Sequence, residues 1–95
     1  MQEGVILVGG KGPMSYVLAV VTQFGKGSDE VVLKARGRAI SNAVDVAEIY
    51  RNKFNAGAKV KDIQIKTEEV QSSKEGALEG MKTRVSAIEI TIARQ

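Results

Sequence analysis

Ninety-five residues with 43% apolar content read as one globular domain, 1–95, with no room for a second core. The chain has no cysteine and no histidine, which removes disulfides, thiolate metal sites and the commonest general base and metal ligand. The net charge of +3 is local, because Val31 to Asn55 carries five cations and two anions while the rest of the chain carries nine of each; a polyanion partner is expected to meet that segment.

Val5-Ile6-Leu7-Val8 is a short apolar run closed by Gly9-Gly10 and reads as a strand buried on both faces. Pro13 suits the first turn of a helix, where its missing N–H costs nothing. Behind it Met14, Val17, Leu18, Val21 and Phe24 recur at helical spacing, and Gly25 and Gly27 supply a stop. Val31-Val32-Leu33 reads as a second buried strand.

A longer helix is expected from near Ile40, with Ile40, Ala43, Val44, Ala47, Tyr50 and Phe54 as one buried stripe and Asn55-Ala56-Gly57 as its end. From Val60 the period changes to two. Ile63 and Ile65 alternate with Asp62, Gln64 and Lys66, and later Ile88, Ile90 and Ile92 alternate with Glu89 and Thr91. Between these strands lies a polar stretch, Glu68 to Lys82, with glycines at 76 and 80.

The order β-α-β-α-β-β predicts an α/β fold, a two-layer sandwich of two helices on a four-stranded mixed sheet. The last two strands are long for so small a domain, so their tips should project as a hairpin arm. No apolar run approaches a membrane span and no signal region opens the chain, so a soluble, intracellular protein without a membrane partner is expected.

Lys34-Ala35-Arg36-Gly37-Arg38 is the strongest constellation. In extended chain three cations would line one side, separated by small residues that let a ligand approach the backbone, with Gly37 suited to an unusual backbone angle or a close contact. Arginine is suited to bidentate phosphate contacts, and a helix N-terminus follows. On charge alone the segment reads equally as a phosphate-binding loop or as a solvated one. Arg51 and Lys53 would extend this surface or pair with Glu48 and Asp45; the spacing favours pairing.

Gly9-Gly10-Lys11-Gly12 lies between strand and helix, where phosphate loops occur, but it lacks the spacing and the Ser or Thr of the Walker pattern. A tight turn explains it better, with Lys11 free to touch a phosphate. Lys74 and Lys82 in the arm stand beside Glu68, Glu69, Glu75 and Glu79, so on composition the arm reads at least equally as a solvated hairpin as an element that grips a polyanion. No carboxylate pair stands out and no histidine could activate Ser41 or Ser86, so the chain is not expected to be an enzyme, nor to need a metal or cofactor.

Lys34-Ala35-Arg36-Gly37-Arg38-Ala39-Ile40-Ser41, with Ala43-Val44-Asp45 and Arg51-Asn52-Lys53-Phe54, closely resembles the signature of the Alba family of archaeal chromatin proteins. Met14-Ser15-Tyr16-Val17-Leu18-Ala19 and Arg84-Val85-Ser86-Ala87-Ile88-Glu89-Ile90 resemble the family's first helix and last strand. The resemblance spans nearly the whole chain. It implies a fold similar to the C-terminal domain of translation initiation factor three. It also implies a homodimer, cytoplasmic and chromosome-associated, that coats and compacts double-stranded DNA and binds RNA with little sequence preference.

Carried over residue by residue, the resemblance makes Lys11, Arg36 and Arg38 backbone contacts, with Lys34 in support and Arg84, near the base of the arm, beside them; Arg51, Lys53, Lys74 and Lys82 are supporting candidates on charge alone. Phe54 becomes a contact between dimers, against its place in the buried stripe. Lys11 becomes the acetylation candidate, although the family's first loop often has two adjacent lysines and this one has a single lysine. A single lysine and an acidic arm predict weaker DNA affinity, or a shift towards RNA; the alternative reading is a chiefly RNA-binding protein acting in RNA folding, stability or processing.

Overall fold

A computed structural model describes residues 4–71 and 82–94. The elements follow in the expected order: β1 (Val5–Leu7), α1 (Pro13–Gly25), β2 (Glu30–Arg36), α2 (Ile40–Ile49), β3 (Lys59–Gln71) and β4 (Lys82–Ala93). They form a two-layer α/β domain whose sheet runs β1-β2-β4-β3, parallel only between β1 and β2. α1 packs over β1 and β2, and α2 over β2 and β4.

That coverage corrects the expectation of strands buried on both faces. Helices cover one face only, so β2 alternates: Val31, Leu33 and Ala35 are buried, whereas Glu30 and Arg36 are exposed. β1 is an edge strand with Ile6 inside and Leu7 63% exposed. The core is completed by Val17, Val20 and Phe24 from α1, Ala43, Val46, Ala47 and Tyr50 from α2 and its extension, and Ile88, Ile90 and Ile92 from β4.

α1 opens on Pro13 and stops as expected at Gly25, with Gly27 in the left-handed region at φ +101°. Its buried line is Val17, Val20 and Phe24, while Met14, Leu18 and Val21 are exposed. Spacing alone had grouped these apolar residues into one stripe; only part of that stripe meets the sheet. Arg94, just past β4, ties the helix end down. Its guanidinium lies over the Phe24 ring, 5.7 Å from the centroid, and donates to the carbonyls of Phe24 and Ser28.

The second helix departs from expectation at its end. After Ile49 the chain widens into a π-helical turn, Tyr50–Phe54, and Asn55 N–H donates to the Tyr50 carbonyl at 2.9 Å. The helix thus ends in a wide i→i−5 turn whose last residue is Phe54. Tyr50 is buried, stacked on Phe24 with centroids 5.4 Å apart, and Phe54 is 48% exposed. The buried stripe therefore ends at Tyr50. Val44 leaves it too, at 42% exposed, and Val46 takes its place in the core.

β3 and β4 pair from Lys59↔Ala93 to Gln71↔Lys82, so Glu68, Glu69 and Val70 belong to a strand rather than to a connection. The far part of this ribbon is paired only with itself, since β2 ends opposite Ala87. The Cα radius of gyration is 14.8 Å and the long axis 48 Å, against about 12 Å expected for the radius of a compact chain of this length. A projecting arm accounts for the excess. Residues 72–81, with Lys74 and the two arm glycines, lie outside the described residues.

Neither helix covers β3. Ile63 and Ile65 stand opposite Ile90 and Ile88, on the helix side of the sheet, yet they are 56% and 80% exposed. An apolar strand face is left open beside α2.

Candidate nucleic-acid interface

The basic segment spans the end of β2 and the turn beyond it. Lys34 and Arg36 alternate with buried Ala35, so both point to the open face of the sheet. Gly37 then adopts φ +59°, a conformation costly for residues with a side chain, and starts a single 3-10 turn, Gly37–Ala39. Arg38 is exposed in that turn and α2 follows at Ile40. The expectation of three cations on one extended row is thus corrected: two lie on the strand and the third on the turn. Ala35 is small because it packs in the core, and the glycine serves the turn.

Lys11 is exposed in the loop between β1 and α1. The sequence did not mark what holds this loop. Asn42, on the first turn of α2, donates from Nδ2 to the carbonyl of Gly9 at 2.9 Å and to that of Lys11 at 2.7 Å. Lys11 N–H in turn lies 3.4 Å from Tyr16 Oη. One amide group therefore ties the glycine loop to the helix that follows Arg38, and it brings Lys11 into the neighbourhood of the Arg36–Arg38 turn. No local signal singles out Asn42, since its partners lie more than thirty residues away.

The cations on the open face are interleaved with acids. Arg36 Nη1 donates to Glu68 Oε1 at 3.4 Å, and Lys66 Nζ lies 3.5 Å from Glu68 Oε2 and 2.9 Å from Glu89 Oε2. The hydrogen bond from Lys66 holds the Glu89 carboxyl below its usual range, and the same bond raises Lys66. Glu89 is therefore ionised at neutral pH; this pair is fully formed above the ordinary carboxylate range and is lost as the pH falls through the lowered Glu89 value. Lys34, Arg36, Leu7, Tyr16 and Glu68 line a cleft of roughly 470 Å³ here.

The remaining sequence-predicted cations do not join this cluster. Arg84 stands opposite Glu69, 4.0 Å from its carboxylate, and strand alternation puts it on the other face of the arm. Lys82 is exposed at the end of the described ladder, opposite Gln71. Arg51 pairs with Glu48 at 3.1 Å, as its spacing suggested, and Lys53 is exposed beyond it. Both are at the far end of α2, roughly 20 Å from Arg38 by helical rise. Phe54 is exposed on the same end.

Among the described residues no helix is long and apolar enough to cross a membrane. What the arrangement offers is a shallow cationic surface built on two turns, with charged groups suited to phosphate oxygens.

The Alba family model matches residues 4–67. The chain is 53% identical, over the full length of both, to a protein of Archaeoglobus fulgidus named DNA/RNA-binding protein Alba 1. It is 52% identical to one of Methanocella arvoryzae named DNA/RNA-binding protein Alba, across 98% of this chain and 92% of that one. The structure of Alba from Thermoplasma volcanium superposes with a TM-score of 0.84 at 48% identity, covering 95% of this chain and 99% of the other. ALBA1 from Trypanosoma brucei, at 24% identity, a TM-score of 0.72 and coverage of 99% and 71%, shares the fold.

Proposed function

Because the chain belongs to the Alba family, we propose that it binds double-stranded DNA and RNA through their phosphates, without sequence preference and without catalysis. The observation that carries this reading is the joining of two turns, one bearing Lys11 and the other Arg36 and Arg38, by Asn42. Lys34 stands behind them. Lys82 and Arg84, the latter on the arm's other face, meet nucleic acid that follows the arm, with Lys74 in support. Arg51 and Lys53 support from the far end of α2. Residues 1–95 act as one binding unit.

The working form is a homodimer, cytoplasmic and chromosome-associated, that coats and compacts DNA. Two features support assembly: the open Ile63 and Ile65 face, and the outward Phe54, which serves as the contact between neighbouring dimers on DNA. Acetylation of Lys11 would remove one positive charge from the first loop and weaken phosphate contact.

Binding to duplex DNA across a salt series, followed by fluorescence anisotropy with the oligomer weighed in parallel, tests this reading. The logarithm of affinity should fall with the logarithm of salt by about 0.9 for every phosphate neutralised. Affinity that ignores salt, or that follows base sequence strongly, would refute it.

Asn42 acts as a positioning residue. Asn42→Ala is expected to weaken binding by roughly three- to tenfold, the worth of one net hydrogen-bonded contact, and to flatten the salt slope as Lys11→Ala does. In a double-mutant cycle the two should be less than additive. Wild-type affinity in Asn42→Ala, or full additivity with Lys11→Ala, would separate Asn42 from the site.

A further inference from the structure

Arg36 is engaged before any nucleic acid arrives. Glu68 uses one oxygen on Arg36 and the other on Lys66, at 3.4 and 3.5 Å, and does so from the open face on which Lys34 and Arg36 lie. Its side chain is 34% exposed against 61% for Arg36, so the pair faces solvent and is open to competition. Glu68 also lines the cleft beside Leu7 and Tyr16. Its neighbour Glu89 is held by Lys66 at 2.9 Å, which leaves Glu68 as the acid facing Arg36.

A phosphate approaching Arg36 therefore meets a carboxylate. Both are acceptors only, so they compete for the guanidinium and repel each other. A carboxylate can receive a donor instead. The sugar–phosphate backbone of DNA presents no hydroxyl donor within the strand, whereas every ribose of RNA carries a 2′-hydroxyl that donates as well as accepts.

We propose that Glu68 is the specificity-determining residue of this surface: it opposes phosphate at Arg36 and accepts a hydrogen bond from a ribose 2′-hydroxyl in the adjoining cleft, which favours RNA over DNA of the same sequence. The inference rests on the reading of Arg36 as a phosphate contact. Its Arg36 partner is 32 positions away in the chain, so the acid is a feature of the folded surface rather than of the basic motif.

The test measures affinities of the full chain for an RNA strand, its 2′-deoxy counterpart and its 2′-O-methyl counterpart, the last keeping RNA-like shape without the donor. Wild type should favour RNA over both by about fivefold, the worth of one net hydrogen bond. Glu68→Gln removes the charge but keeps an acceptor oxygen, so it should tighten all three strands about threefold and retain most of the preference. Glu68→Ala should tighten the deoxy strand and bring the RNA-to-DNA ratio to about one. A ratio in Glu68→Ala equal to that of wild type overturns the proposal, as does a wild type that does not distinguish RNA from its 2′-O-methyl form. Arg36→Ala/Arg38→Ala is measured alongside. If that variant binds every strand as wild type does, the phosphate-contact reading itself fails; if it loses all of them while the Glu68→Ala ratio is unmoved, only the role of Glu68 fails.

Discussion

Replacing Arg36 and Arg38 together by alanine is expected to weaken binding to duplex DNA and to RNA about a hundredfold near physiological salt, and to lower the salt slope by about 1.8 for each protomer engaged. The loss should be the same for every sequence, because phosphate contacts carry no base information. The two arginines are not equivalent. Arg38 stands on an exposed turn, so its removal subtracts one cation. Arg36 is paired with Glu68 at 3.4 Å, so its removal also leaves that carboxylate facing the incoming phosphate. Arg36→Ala should therefore be the more damaging single change. Neither should disturb the fold, since both side chains project from the surface and the glycine that shapes the turn is untouched. A salt titration on a pair of unrelated duplexes and one structured RNA, with thermal melts as control, measures all of this. A double variant that binds like wild type would place the site elsewhere.

The second large effect concerns assembly. Ile63 and Ile65 are 56% and 80% exposed on a strand face that neither helix covers. Burial of such side chains stabilises a contact by up to about 1.5–3 kcal/mol each, and in a two-fold dimer every residue counts twice. Scaled by the exposed fraction that each still has to bury, the low end of that range gives roughly 4 kcal/mol for the four side chains, so changing both to Asp should raise the dissociation constant by at least about a thousandfold. The protomer itself should keep its stability, because these side chains contribute little to its own core. Sedimentation analysis should find wild type dimeric and the variant monomeric, with DNA affinity reduced because only one half of the surface remains. A wild type that sediments as a monomer would refute the dimer, and a variant that still dimerises would move the interface off β3.

Much of the fold was legible locally. Pro13, the Gly25–Gly27 stop, the change to alternation after Val60 and the isoleucines of β4 all announce their elements within a few residues of chain. The errors share one cause. Periodicity reports which residues are apolar, not how far cover extends. Met14, Leu18, Val21 and Val44 sit at helical spacing with buried residues and are nevertheless exposed. β1 and β2 read as doubly buried because a run such as Val5–Val8 looks the same whether one face is covered or two. Spacing places Phe54 inward and the resemblance places it outward; it is 48% exposed, because core packing on this helix stops at Tyr50 and spacing cannot show where a buried stripe ends.

The candidate site divides in the same way. Its cations were visible as a local excess of charge, and Gly37 as the residue needed for an unusual backbone angle, because both are properties of a short segment. Asn42 and Glu68 were not visible as site residues. Asn42 reaches carbonyls at positions 9 and 11, and Glu68 reaches position 36, through contacts created only when two loops and two strands are brought into register.

The sequence by itself determined the order of elements, the layered α/β class and the segment carrying the net charge, since hydrophobic period, turn residues and charge act over a few neighbours. Tertiary structure alone decided that Arg36 would be held by an acid, that the glycine loop would be tied beside it, and that β3 would be left bare, because each depends on which distant residues strand pairing and helix coverage place side by side.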